Sequence, residues 1–300
     1  MSNTVLDKNS EIFQNVLDKE IFFIVGVPKS GTTWLQRLLD AHPKITCKGE
    51  AHFTDIFYFH LSKALDAYNK DVETQGGALA HLKKYGGHVD TLCYDMIDSY
   101  YLLALAMGLM FKKWIGTKNI QIIGDKTPDN IRSMTLLSTI FPSSRFIHVI
   151  RDGRDCTVSG WFFQISGIDK NKRVTQTFEQ YARTFAKIWQ TQVNQGRTAG
   201  SMLGDRYTEI RYENLVEDPQ SGTRRLLQFL GADSSGRLVT DCVSSAEFQL
   251  LSNGRRPGDE DTKSFFRKGV VGDWSNHFSQ SLATEFNQIA GETLKRLGYC

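Results

Sequence analysis

Residues 21–25, IFFIV, are an unbroken apolar run that stops at Gly26, and the stretch after it, VPKSGTTW, leads into a helical pattern. Short continuous apolar runs of this kind suit strands buried on both faces of a parallel sheet. Trp34, Leu35, Leu38 and Leu39 share one face of a predicted helix over Thr33–Ala41, which Pro43 ends. The unit recurs three times. Ile120–Ile123 run into GDKTPDN, with Pro128 in a first helical turn and an apolar helix to Phe141. Arg145–Ile150 run into RDGRDCTVSG, and Tyr207–Tyr212 precede a helix around Gly222–Leu230 capped by Gly231. Four such units predict an α/β fold of three layers, a central, mostly parallel sheet flanked by helices, with ligands bound at the carboxyl ends of the strands.

Two segments interrupt this rhythm. Phe53–Lys118 is expected to be a helical insertion rich in aromatics, whose rings serve mainly as additional core. Gly254–Gly272 carries Arg255, Arg256, Lys263, Arg267 and Lys268 with little apolar periodicity, and reads as a long functional loop. An amphipathic helix marked by Phe278, Leu282, Phe286, Ile289 and Leu294 closes the chain. With 300 residues, 40% of them hydrophobic, the expectation is one large domain, 1–300, with an insertion at about 53–118.

The loop after the first strand has the frame of a triphosphate loop, G-x-x-x-x-G-K-[ST], in Gly26 and Gly31. Thr32, however, occupies the lysine position, and Lys29 stands three residues earlier, in the bend. Amides of Ser30, Gly31, Thr32 and Thr33 at a helix start can cradle one phosphate, while the displaced lysine projects toward whatever that phosphate bears. A cation placed there stabilises a leaving group as charge develops. Arg151, at the end of a strand, offers a planar fork to a phosphate, and Ser159 adds a hydroxyl from the following helix; the competing role for Arg151 is an ion pair with Asp152 or Asp155.

These stretches resemble sulfotransferases that use 3′-phosphoadenosine 5′-phosphosulfate (PAPS) as sulfuryl donor. VPKSGTTW is similar to the family's 5′-phosphosulfate loop, whose lysine contacts the oxygen bridging phosphorus and sulfur. Arg151 and Ser159 match its 3′-phosphate motif, and FFRKGVVGDW matches the C-terminal motif RKGxxGDW, in which Arg267, Lys268 and the Gly269 amide clamp the same 3′-phosphate. The resemblance implies a P-loop-like fold. It also implies adenine contacts from Trp34, Tyr212 and Phe248, although Ala246 and Glu247 depart from the hydroxyl-bearing residues of the cytosolic branch. Cytosolic members place a histidine two residues before the proline of the second turn, where this chain has Lys126. Tyrosylprotein sulfotransferases place a catalytic glutamate seven residues past the proline that follows the phosphosulfate loop; Glu50 has that spacing from Pro43, and Lys126 matches their catalytic lysine.

The expected machinery is thus Glu50 as base with Lys29 and Lys126 as charge stabilisers, Asp125 and His52 standing in reserve as bases. Expected partners are PAPS and an acceptor of open class, a small-molecule alcohol, phenol, glycan or peptide. Two alternatives are a P-loop kinase or NTPase, disfavoured by Thr32 and by Arg151 where a Walker-B carboxylate belongs, and a non-catalytic adenosine-bisphosphate binder. A net charge of +3 suits a local anion site and not nucleic acid. Five scattered cysteines with no CxxC, and seven histidines without HExxH, suggest neither a disulfide framework nor a metal site. The opening MSNTVLDKNSEIFQNVLDKE has no long apolar region, so the sequence expectation is a cytoplasmic protein without a transmembrane segment.

Overall fold

The computed structural model describes residues 14, 16, 18–79, 81, 86, 92–166 and 175–299. The chain divides into two compact units: the described residues of Met1–Lys19 with His52–Thr117, and Glu20–Ala51 with Lys118–Cys300.

The larger unit is built on five parallel strands, β1 (Glu20–Gly26), β2 (Ile45–Gly49), β3 (Ile122–Lys126), β4 (Arg145–Ile150) and β5 (Tyr207–Arg211), in the order β2-β3-β1-β4-β5. β1 is central, and six of its seven residues are buried, which is why its sequence is apolar without alternation. Helix α1 (Thr32–Asp40) packs Leu35, Leu38 and Leu39 with Phe22, Ile24 and Ile147 of the sheet.

Two corrections to the expected strands bear on the site. ITCKG, residues 45–49, is a fifth strand at the sheet edge, too short and mixed to stand out as an apolar run. The strand expected over 120–123 instead runs from Ile122 to Lys126, because Gly124 lets the Phe22 ring approach and Asp125 and Lys126 stay in register with β1. Lys126 therefore lies in a strand and not in the turn.

Among the described residues the two long helices of the smaller unit are α2 (Tyr58–Leu79) and α3 (Met96–Ile115), the first preceded by a π-helical turn, Phe53–Phe57. α3 begins with a capping box between Asp95 and Asp98. The aromatics of this insertion divide: Phe53 and Phe111 are buried and meet edge to face, whereas Phe57, Phe59, Tyr94 and Tyr101 are exposed.

Back in the larger unit, β3 leads through a 3₁₀ turn begun by Pro128 into α4 (Met134–Ile140). Next come α5 (Gly153–Ile165) and α6 (Phe178–Ser201), a long helix that the strand-based reading did not anticipate. α6 is started by a Thr177–Gln180 capping box and buries Trp189 fully. After β5 come α7 (Tyr212–Glu217) and α8 (Pro219–Leu230), the latter with Pro219 in its first turn and left-handed Gly231 at its end. α9 (Gly236–Ser245), α10 (Phe248–Leu251) and α11 (Gln280–Arg296) complete the unit. α11 lies along α6, burying Phe286 and Leu294. Residues 254–272 hold no helix or strand, as expected of a functional loop.

Candidate active site

Parallel register brings the chemically suggestive residues to one edge of the sheet. Ile24 pairs with Lys126, Gly49 with Lys126, Gly26 with Val149, and Ile150 with Arg211. The strand order reverses its direction of growth between β1 and β4, which makes the crevice beyond their carboxyl ends the natural ligand position. A cavity of about 480 Å³ opens there, within the size range of small-molecule sites. Of the predicted residues, Lys29, Gly31, Thr32, Thr33, Trp34 and Glu50 line it, together with Arg151, Ser159, Tyr212, Phe248, Arg267, Lys268 and Gly269. Ser30 and Lys126 lie outside its walls.

The loop from Gly26 to Thr32 is tight for identifiable reasons. A Cβ on Gly26 would stand 2.6 Å from the Val149 carbonyl oxygen, and one on Gly31, whose φ is +97°, would stand 2.4 Å from the Tyr212 ring. The Ser30 amide donates to Val27 O at 3.1 Å, so the expected cradle loses that amide and begins one residue later. Leu35 N makes the first helical bond, to Gly31 O, and the amides ahead of it have no acceptor within the helix. The Ser30 hydroxyl is buried without a partner among the described residues. An anionic nucleotide suits this arrangement: the loop offers first-turn amides, an orphaned hydroxyl and a backbone that no side chain may crowd.

Lys29 adopts a left-handed backbone, φ 73°, and its ammonium sits 4.1 Å from the Phe163 ring centroid and 4.5 Å from that of Phe265. Aromatic faces hold a cation without neutralising it. Burial pushes the Lys29 pKa down to about 8; neighbouring Arg151 pushes the same way and Glu50 opposes. Glu50 and Lys126 form an ion pair in direct contact, with Lys126 almost wholly buried. Gly49 permits this, since a Cβ there would stand 2.8 Å from Lys126 Cε. Asp125 is fully buried and accepts from Asn130 Nδ2 at 2.8 Å, and burial raises its pKa to about 6. His52, in the smaller unit, has its Nδ1 2.7 Å from Asp55 Oδ2.

The second cationic cluster comes from two distant segments. Arg151 donates to Lys29 O and Val270 O, each at 3.3 Å, and its guanidinium carbon lies 4.4 Å from the Tyr212 ring centroid. Its Nε is buried with no partner among the described residues. Of the two carboxylates expected to compete for it, Asp155 is beside it at 3.7 Å, whereas Asp152 pairs with Arg154 at 2.7 Å. Arg267 is bonded to Glu260 and, at 2.5 Å, to Asp273, which also accepts from Lys268 at 2.6 Å. Burial opposes ionisation of Asp273, but hydrogen bonds from Lys268 and Arg267 outweigh it and hold the carboxyl well below the usual range. Gly269 has φ +68°, and a Cβ there would strike the Phe248 ring at 2.4 Å. Trp34 donates to Ala246 O at 2.8 Å and meets Tyr212 edge to face, and Phe248 lines the same cavity.

Sequence reasoning missed the aromatic partners Phe163, Phe265 and Phe266 on the cavity wall, although the last two adjoin the RKG motif. Arg255, legible in the sequence only as one of the loop's cations, holds the long loop by donating to the carbonyls of Asp259, Phe266 and Arg267 and to Ser264 Oγ. Among the described residues no group of three or more histidine, cysteine or acidic side chains could hold a metal, and no helix is long and apolar enough to cross a membrane. Cys47, Cys156 and Cys242 are buried free thiols and Cys93 is exposed.

Residues 22–235 match the model of the sulfotransferase family. The chain belongs to that family. It is 29% identical over 205 residues to the 3-beta-hydroxysteroid sulfotransferase of Cavia porcellus, covering 62% of this chain and 70% of that protein. It is 25% identical over 282 residues to protein-tyrosine sulfotransferase A of Caenorhabditis elegans, covering 92% of this chain and 66% of that one. A mouse sulfotransferase complexed with PAP, 3′,5′-bisphosphoadenosine, shares the fold at 20% identity and a TM-score of 0.57, over 96% of this chain and 90% of that one. The P-loop-like α/β fold expected of the sulfotransferase is thereby established. PAPS-dependent sulfuryl transfer is the activity that family membership supports, and the kinase or NTPase alternative is not favoured.

Proposed function

We propose that this sulfotransferase uses Glu50 as the base that deprotonates an acceptor hydroxyl or amine, with Lys29 and Lys126 offsetting charge. The observation that carries the reading is the convergence of Glu50, Lys29 and Arg151 on one cavity, from the ends of β2, β1 and β4, with Lys126 of β3 gripping the glutamate. PAPS supplies the sulfuryl group, which passes to the acceptor oxygen or nitrogen as the bond from sulfur to the bridging oxygen breaks and PAP departs. Glu50 takes the acceptor proton at its carboxylate. Lys126 fixes the orientation of that carboxylate, as a buried ammonium in direct contact can. Lys29, leaving the Phe163 and Phe265 rings for the bridging oxygen, meets the charge that develops there. The amides of Gly31, Thr32 and Thr33 and the Ser30 hydroxyl hold the 5′-phosphate, and Arg151, Ser159, Arg267, Lys268 and the Gly269 amide the 3′-phosphate. Trp34, Tyr212 and Phe248 flank the base.

Asp125 is less suited to the proton transfer because it is fully buried, bonded to Asn130 and off the cavity wall. Because lysines and arginines supply the positive charge, the reading asks for no metal. It treats 1–300 as one sulfotransferase domain in which about 53–118 are an insertion, supported by a family match that runs through both compact units. It also places the protein in the cytosol. The acceptor is a small-molecule alcohol, phenol, glycan or peptide; the named relatives act in one case on hydroxysteroids and in the other on protein tyrosine. Glu50→Gln is expected to lower kcat by about 10²-fold or more in a ³⁵S-PAPS transfer assay across acceptor classes, while calorimetry shows PAP affinity unchanged. Full turnover in that variant would remove Glu50 from the mechanism.

A further inference from the structure

Asp155 is buried to 2% exposure, one turn into the segment that Arg151 opens, and its two carboxylate oxygens face different parts of the chain. Oδ2 accepts the Gly272 amide at 2.8 Å and Oδ1 accepts the Trp274 amide at 2.9 Å, across 117 and 119 residues of sequence. The same Oδ2 is 3.7 Å from Arg151 Nη2, and Arg151 in turn reaches Val270 O. Between those two amides stands Asp273, whose carboxylate holds Arg267 and Lys268. One buried carboxylate thus fastens the turn that carries two proposed 3′-phosphate cations to the helix start that carries the third. Residues 254–272 have no sheet or helix to do this for them.

We infer that Asp155 is a positioning residue that sets the selectivity for a 3′-phosphorylated nucleotide, by fixing the RKGVVGDW turn against Arg151. The inference rests on the PAPS reading above. Its physical core is donor and acceptor matching: two backbone N–H groups converge on one side chain, and only a carboxylate presents an acceptor to both. An asparagine would accept one and point its own NH₂ at the other, leaving a buried donor facing a donor and Arg151 without its counter-charge. The 5′-phosphate loop is built from β1 and α1; it meets this assembly where Lys29 O accepts from Arg151, but makes no bond to Asp155, so a ligand lacking the 3′-phosphate should sense the change far less.

The test is calorimetric titration of wild type and Asp155→Asn with PAP and with adenosine 5′-phosphate, which share base, ribose and 5′-phosphate. The variant should lose PAP affinity by about 30-fold, with adenosine 5′-phosphate changing less than about 3-fold. A uniform loss for both ligands, or no loss for either, overturns the positioning role. A wild type that does not prefer PAP overturns the PAPS reading itself, so the two failures are distinguishable. A second measurement needs no variant: amide hydrogen exchange at Gly272 and Trp274 in the wild type should slow on adding PAP far more than on adding saturating adenosine 5′-phosphate. Equal slowing by the two nucleotides counts against the inference.

Discussion

The two proposed phosphate-binding regions are constructed in opposite ways. The 5′ region is one continuous strand, turn and helix, residues 20–40, in which backbone geometry supplies the donors and Gly26 and Gly31 keep them uncovered. The 3′ region is assembled from Arg151 and from residues 267–269, and the bonds that join its parts span more than a hundred residues. A site made of contiguous backbone is as stable as the elements that flank it. A site made of distant side chains depends on whatever fixes those chains to one another, here buried carboxylates and one loop-tying arginine.

The largest test of that contrast compares two glycines with similar backbone strain. Gly31→Ala forces a methyl into the Tyr212 ring at φ +97°, in the turn that joins central β1 to α1. Left-handed strain alone costs about 1–3 kcal/mol, so its melting temperature should fall by about 2 °C or more, since 1 kcal/mol shifts a domain of roughly 200 residues by about 2–4 °C. Gly269→Ala meets the Phe248 ring at φ +68°, but in a loop outside the sheet. Its melting temperature should move by less than about 2 °C while PAP affinity drops. Equal loss of melting temperature in both would erase the distinction.

The same contrast explains what the sequence disclosed. The turn after β1 is readable because a strand ending in glycine and a helix with one apolar face are local patterns, and the turn after β4 because a buried apolar run ends at Arg151; Lys29, Arg151 and Ser159 occupy fixed places within them. The family resemblance points to Glu50 through its spacing from Pro43, yet nothing local marks ITCKG as a strand, because an edge strand of five residues carries little pattern. In the sequence Asp155 reads only as a rival for Arg151, and Asp273 only as a letter of a motif, since their partners lie at distances that no local pattern records. The rings that hold Lys29 were missed for the same reason: Phe163 and Phe265 meet at Lys29 from separate segments.

A middle-sized effect sharpens the 3′ side. Arg255 donates to three carbonyls and one hydroxyl within its own loop, four interactions from one guanidinium. Arg255→Ala should therefore loosen residues 254–272 without touching the sheet. PAP affinity is expected to fall by about 10-fold, the equivalent of one or two hydrogen bonds. Affinity for adenosine 5′-phosphate and the melting temperature should stay near wild type. Loss of melting temperature comparable to that of Gly31→Ala would show that the loop is part of the core after all.

The smallest effect probes the 5′ side by pH. In the proposed mechanism Lys29 must be charged to meet the bridging oxygen, and burial brings its pKa down to about 8 in the free enzyme. Burial disfavours the ammonium, so the charged fraction is nearly complete at pH 7 and falls as pH rises through 8. kcat/KM for PAPS reports the free enzyme, and should decline several-fold between pH 7 and 9. Lys29→Arg removes the titration, because a guanidinium stays charged across that range. Its absolute rate will be lower, since the longer planar group cannot take the ammonium's place in the bend, but its alkaline limb should flatten. A limb of unchanged midpoint in that variant would assign the titration to another group and separate the Lys29 charge from the pH response.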